Sequence, residues 1–200
     1  LLLGSFAFAK SKRDKAIAEV AQAERDFAKM SVAEGTRAAF FANFTEDGIS
    51  FGPQPTKMRD LFGPPPPAGT PRKTKLDWYP IWTDAARSGD VAFSTGPSVT
   101  YDFASGKAIR WGNFASVWRK QPDGKWKVVF DIGSQNAEPP ANAEKNWQAA
   151  SASRYKAKKV DVNDEAGKLK DFERSFTQAG LLAGYEKVLT SESRLHRQGI

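Results

Sequence analysis

Val117-Trp-Arg-Lys-Gln-Pro-Asp-Gly-Lys-Trp-Lys-Val-Val-Phe-Asp-Ile-Gly133 is the stretch on which the fold turns. At its centre, Gln121-Pro122-Asp123-Gly124-Lys125 is a hairpin turn. Proline presets one backbone angle, aspartate bonds the chain ahead of it, and glycine accepts the left-handed conformation. The turn joins a strand from Ile109 to Lys120 to another from Trp126 to Ile132. Strict alternation in the second puts Trp126, Val128, Phe130 and Ile132 on one face and Lys127, Val129 and Asp131 on the other. Asp131 thus interrupts an otherwise apolar strand.

Two further strands precede the hairpin. Leu76, Trp78 and Trp82 mark the first, and Arg87-Ser88-Gly89-Asp90 turns the chain into Val91 to Tyr101. Ala104-Ser105-Gly106-Lys107 then leads into Ile109. Upstream lies helical patterning: Ile17, Val20, Phe27 and Met30 recur at helical spacing over 13–30, with Glu24 on the same apolar stripe. Ser31-Val-Ala-Glu34 has the form of a capping box that starts a second helix, with Phe40, Phe41 and Phe44 on its buried side. Glu46-Asp47-Gly48 should stop that helix before a short strand, Ile49-Ser50-Phe51. Residues 52–72 are proline-rich and loop-like, with room for one short helix from Thr56 to Phe62. Helices followed by an antiparallel meander define an α+β class.

Composition removes several chemistries. The 200 residues include no cysteine and one histidine, His196, so disulfides, thiol nucleophiles, multi-histidine metal sites and a histidine triad in the main body are excluded. No Gly-rich phosphate loop appears either, so neither a nucleotide, another cofactor nor a metal is expected. Thirty Lys+Arg against 23 Asp+Glu give a net charge of +7. The basic residues are interleaved with acids, and the densest cluster, Arg154 to Lys159, sits in a linker-like segment; nucleic-acid binding is not expected. No apolar run is long enough to span a membrane.

The chain opens Leu1-Leu-Leu-Gly-Ser-Phe-Ala-Phe-Ala9 and turns polar at Lys10, which has the form of a signal-peptide remnant or of an N-terminal arm (residues 1–12). The former implies a periplasmic or secreted protein. The main domain is expected over 13–135 and a linker over 136–163. Residues 164–200 read as a partial second repeat: Glu173-Arg-Ser-Phe176 echoes Glu24-Arg-Asp-Phe27, and Gly180 to Tyr185 lies on Gly35 to Phe40.

Glu24 and Asp131 are the candidate catalytic residues, because a carboxylate among apolar neighbours must be paired, hydrogen-bonded or protonated. Asp47 is a turn residue or a rim carboxylate. Trp78, Trp82, Tyr101, Trp111, Phe40 and Phe44 are the candidate pocket-lining residues, with core packing as the alternative for each.

Residues from about Ala16 to Gly133 resemble the nuclear transport factor 2-like superfamily (cystatin-like, SnoaL-like), and within it a bacterial subgroup of unknown function. The resemblance rests on Glu24-x-x-Phe27, Phe40 with Asp47, Trp78-x-Pro80, Ser88-Gly89-Asp90 through Thr95-Gly96, Val117-Trp118-Arg119, and Asp123-Gly124-x-Trp126 through Asp131-x-Gly133. It implies a strongly curved antiparallel sheet wrapped round the N-terminal helices as a cone with an apolar cavity. The superfamily holds isomerases, cyclases, dehydratases and non-catalytic modules, so fold does not select a function. Its ketosteroid isomerases carry a tyrosine on the first helix; here no tyrosine precedes Tyr79. Three readings follow: an exported module binding a small apolar molecule, a proton-transfer enzyme using Glu24 and Asp131, and a homodimerising module using the sheet.

Overall fold

The computed structural model describes residues 11–52, 54–143, 145–151, 161–178, 180–190 and 193. The apolar opening, the Arg154–Lys159 cluster and His196 lie outside the described residues. The chain divides into two compact units, the first reaching Ala150 and the second covering Ser151–Leu195. No helix among the described residues is long and apolar enough to cross a membrane.

Helix α1 (Lys12–Glu34) begins at a capping box: the Ser11 hydroxyl accepts from the Asp14 amide, and the Asp14 carboxylate accepts from the Ser11 amide. Its buried face, from Ala16 through Ile17, Val20, Glu24 and Phe27 to Ser31, repeats at helical spacing. The expected second capping box does not form. Ser31 sits fully buried in the last turn of α1, where its hydroxyl donates to the Leu76 carbonyl at 2.9 Å. The break comes instead at Gly35, whose φ of 100° suits a residue without a Cβ. Helix α2 (Thr36–Asn43) follows at once and buries Ala39 and Phe40.

Glu46-Asp47-Gly48 does not end a helix. Strand β1 (Phe44–Phe51) runs through it, because Phe44 and Ile49 pair with Val128 and Phe130 of a distant strand. Tertiary pairing there outweighs local turn preference. Strand β2 (Pro55–Lys57) folds back on β1, and α3 (Met58–Phe62) supplies the short helix expected in the loop. Strands β3 (Thr74–Trp78), β4 (Trp82–Ala85), β5 (Val91–Asp102), β6 (Ala108–Lys120) and β7 (Trp126–Asn136) form the meander. A two-residue strand, β8 (Gln148–Ala149), ends it.

Together the strands make a curved, unclosed sheet in the order β2-β1-β7-β6-β5-β4-β8, with β3 on the far half of β5. The sheet is mixed rather than wholly antiparallel, since β1 runs parallel to β7 and β8 parallel to β4. Residues 148–150, expected as linker, close the β4 edge: Gln148 and Ala150 donate to the Ile81 and Thr83 carbonyls, and the Trp147 indole donates to the Thr83 hydroxyl.

Beneath the sheet, Phe27, Phe40, Phe44, Trp78 and Trp118 pack edge to face or stacked, with ring centroids 4.7–6.3 Å apart. On β5 it is the small residues Ala92 and Ser94 that are buried on the core side, while Val91 and Phe93 lie on the other side. Bulk comes from Trp118, Phe114 and Trp78, so small residues opposite them let the helix approach.

In the second unit, α4 (Val162–Gln178) and α5 (Leu181–Val188) meet at Gly180, and the Phe176 and Tyr185 rings touch edge to face at 5.2 Å. Gly180 has φ 80° and ψ 156°, the backbone region of Gly35. Glu173, which the expected repeat sets against Glu24, is exposed.

Strands β3 and β4 are separated by Tyr79-Pro80-Ile81, where the chain bends close over β5. A Cβ on Gly96 would lie 2.0 Å from the Tyr79 carbonyl oxygen. Gly96→Ala is therefore expected to destabilise the domain by about 2 kcal/mol or more, as overpacking against fixed backbone does. A urea midpoint unchanged from wild type would contradict this placement.

Candidate functional site

The centre of the first unit is a carboxylate held by two indoles. Glu24 is fully buried; its Oε1 accepts from Trp78 Nε1 at 2.7 Å and its Oε2 from Trp118 Nε1 at 2.8 Å. Both indole N–H groups are shut away from water and need an acceptor. Helix spacing puts Glu24 between Val20 and Phe27, so α1 carries that acceptor directly under β3 and β6. Burial pushes the Glu24 carboxyl up to about 7, against the pull of the two indoles; the Asp131 charge adds to the rise. The Ser94 hydroxyl lowers it slightly, yet makes no hydrogen bond of ordinary geometry.

One helical turn and a half earlier, Glu19 repeats the device near the surface. Its Oε2 accepts from Trp126 Nε1 at 2.9 Å and from Lys120 Nζ at 2.8 Å. Those hydrogen bonds hold the Glu19 carboxyl below its usual range. Glu19 had no mark in the sequence beyond a place on the polar side of the helix.

Asp131 reaches the inner face by a β-bulge. Ala92 and Trp118 pair on the buried side, and Trp118 opposes Val128; the next pair is Val117 with Phe130, leaving Val129 as the extra residue. Beyond it the faces swap, so Phe130 and Ile132 point outward and Asp131 pairs with Ser116 on the inner side. Ile132 is 38% exposed, contrary to the strict alternation expected of the strand. The Ser116 hydroxyl, fully buried, donates to Asp131 Oδ2 at 2.8 Å. Burial pushes the Asp131 carboxyl up to about 6, opposed by that hydrogen bond.

A cavity of about 320 Å³ opens beside Asp131. Phe27, Phe40, Leu76, Trp78 and Phe114 form its apolar wall, and Ser98, Gly112 and Gly133 leave its sheet side low. Of the pocket residues expected from sequence, Phe40, Trp78 and Trp111 border it. The other three lie elsewhere: Phe44 is stacked on Phe40 in the core, Trp82 packs on Phe93, and Tyr101 carries the Lys75 ammonium over its ring. Glu24 lies behind the wall and does not itself border the cavity; Asp131 does. Asp47 is exposed at the sheet surface, where the Thr45 hydroxyl holds its carboxyl below the usual range and Arg119 stands 3.8 Å away. Among the described residues no cluster of carboxylates or histidine could hold a metal ion.

No protein-family model matches the sequence, and no curated protein matches it. Structural neighbours are nuclear transport factor 2-like and cystatin-like proteins. One is a nuclear transport factor 2-like protein with a cystatin-like fold from Novosphingobium aromaticivorans, 16% identical over 65% of this chain and 84% of that chain, with a TM-score of 0.45. Another is a nuclear transport factor 2-like superfamily protein from Salmonella enterica, 13% identical over 66% and 99% of the two chains, TM-score 0.45. A third is the CamKII hub homology domain from Chlamydomonas reinhardtii, 19% identical over 60% and 97%, TM-score 0.46. The likeness is one of fold alone.

The buried carboxyl makes stability depend on pH. Because Glu24 titrates near 7 in the folded chain and near 4.5 when unfolded, the folded state binds the proton more tightly between those values. Its contribution is complete below pH ~4.5 and is lost as pH rises through ~7, a change of about 3 kcal/mol. Denaturant titrations at pH 4.5 and pH 8 should show that loss in the wild type relative to Glu24→Gln, which has no such proton to lose. Equal pH slopes in the two proteins would count against a raised Glu24 carboxyl. At pH 5 Glu24→Gln should itself cost about 1–3 kcal/mol, since its amide NH₂ faces an indole donor.

Proposed function

We propose that the first unit binds a small, mostly apolar molecule in the cavity between α1, α2 and the sheet. The observation that carries the reading is the hollow itself. Its aromatic and aliphatic wall meets a polar side on which Asp131 is the single carboxyl group, and such a space is the ordinary form of a small-molecule site. Glu24 supports the wall by fixing Trp78, so it positions the site without touching its occupant.

Gly133 offers the direct test. It lies on the inner face opposite Phe114, and the nearest atom to a Cβ there is 3.9 Å away, the Asn113 carbonyl oxygen. Gly133→Leu should fill the hollow with little change in stability. Calorimetric titration with an apolar probe small enough for the cavity, such as an alkylbenzene, should show binding to wild type and at least a tenfold loss in the variant. Equal binding by both proteins would place the probe elsewhere.

A second reading, proton transfer, is favoured by one observation. Asp131 borders the cavity with its carboxyl raised to about 6, in a range where it can both give and take a proton near neutral pH. On this reading Asp131 alone is the acid–base group, and Ser116 orients it. Asp131→Asn should keep probe binding and lower exchange of a carbon-bound proton next to a ketone by about a hundredfold or more. Unchanged exchange would leave binding as the whole function.

A further inference from the structure

We infer that the occupant of this cavity carries an anionic group, a carboxylate in the simplest case, and that Arg110 at the cavity mouth receives it. This rests on the binding reading above and narrows it to apolar molecules with one acidic end. Arg110 borders the cavity and is exposed, on the same inner face of β6 as Gly112, Phe114, Ser116 and Trp118. Its guanidinium makes no hydrogen bond, ion pair or ring contact with any described residue. The other arginines of that sheet neighbourhood are engaged: Arg119 faces Asp47, Arg59 lies over Phe41, and Arg72 lies over Phe103 and donates to the Val32 carbonyl.

Around Arg110 the rim is polar, with Ser98, Thr100 and Gln135 bordering the same opening. The cavity's carboxylate is at the other end. Asp131 pairs with Ser116, six residues along β6 from Arg110, a strand length of about 20 Å before curvature. Phe114 and Gly112 lie between them on the inner face. The site is thus polarised along one strand: a cation and hydroxyls at the mouth, an apolar middle, and a carboxyl inside. An anion entering that space is drawn to the mouth and turned away from Asp131, so the apolar body points inward. Bidentate pairing with a planar carboxylate suits the guanidinium fork.

Matched probes separate this from simple apolar binding. Calorimetry of the full chain at pH 7 and low salt would compare 4-phenylbutyrate with its neutral primary amide, against wild type and Arg110→Gln. The expected result is acid binding about tenfold tighter than amide in wild type, and that preference lost in Arg110→Gln. Raising the salt should shrink the acid's advantage, because the pair is exposed. Equal binding of acid and amide to wild type overturns the anion proposal and leaves the apolar pocket standing. Failure of both probes and of the alkylbenzene would overturn the pocket reading and this proposal together.

Discussion

A single buried carboxylate joins the helical and sheet layers of the first unit. Glu24 accepts one indole hydrogen bond from β3 and another from β6, strands that are not neighbours, and so fixes α1 against both. An aliphatic residue there would leave two enclosed N–H groups without acceptors. A neutral amide would satisfy only one of them well. The pair of tryptophans and the carboxylate are each costly to bury alone and mutually satisfying together. With Glu19 and Trp126 repeating the arrangement at the helix's outer end, α1 is registered on the sheet at two heights.

That registration is what keeps space open. Trp78, which borders the cavity, is held by its hydrogen bond to Glu24, and the sheet opposite carries Ser98, Gly112 and Gly133 instead of large side chains. The bulge at Val129 then brings Asp131 to the hollow's edge. Wall, floor and polar group therefore come from three separate devices on α1, β6 and β7. Asp131 and Glu24 share a neighbourhood but not a role: one faces the cavity, the other braces it.

Much of this arrangement was legible from residue order. The Gln121–Lys125 turn, the long strands either side of it and the apolar stripe of α1 follow from spacing alone. So did the oddity of Glu24 and Asp131, since charged groups on apolar faces need an explanation in any fold. What spacing could not show was the swap of faces within β7. A bulge depends on how a strand meets its partner, and the Val128-Val129 doublet reads equally well as regular alternation. The same limit explains β1, whose Glu46-Asp47-Gly48 carries turn chemistry but is drawn into the sheet by Phe44 and Ile49. Ser31 misled for a related reason: its hydroxyl suits a helix start, and a carbonyl from β3 claimed it. Arg110 stands out only once its neighbours are known, because no partner for it is found among the described residues.

The sheet does not close on itself, and its unpaired borders matter for how the protein behaves among its own copies. Strand β2 has three residues and opens with Pro55, β8 has two, and β3 has five with Lys75 and Asp77 among them. Short, charged or proline-bearing borders are poor templates for strand addition. Among the described residues, both ends of this wide sheet are thus poorly suited to edge-to-edge pairing with another copy.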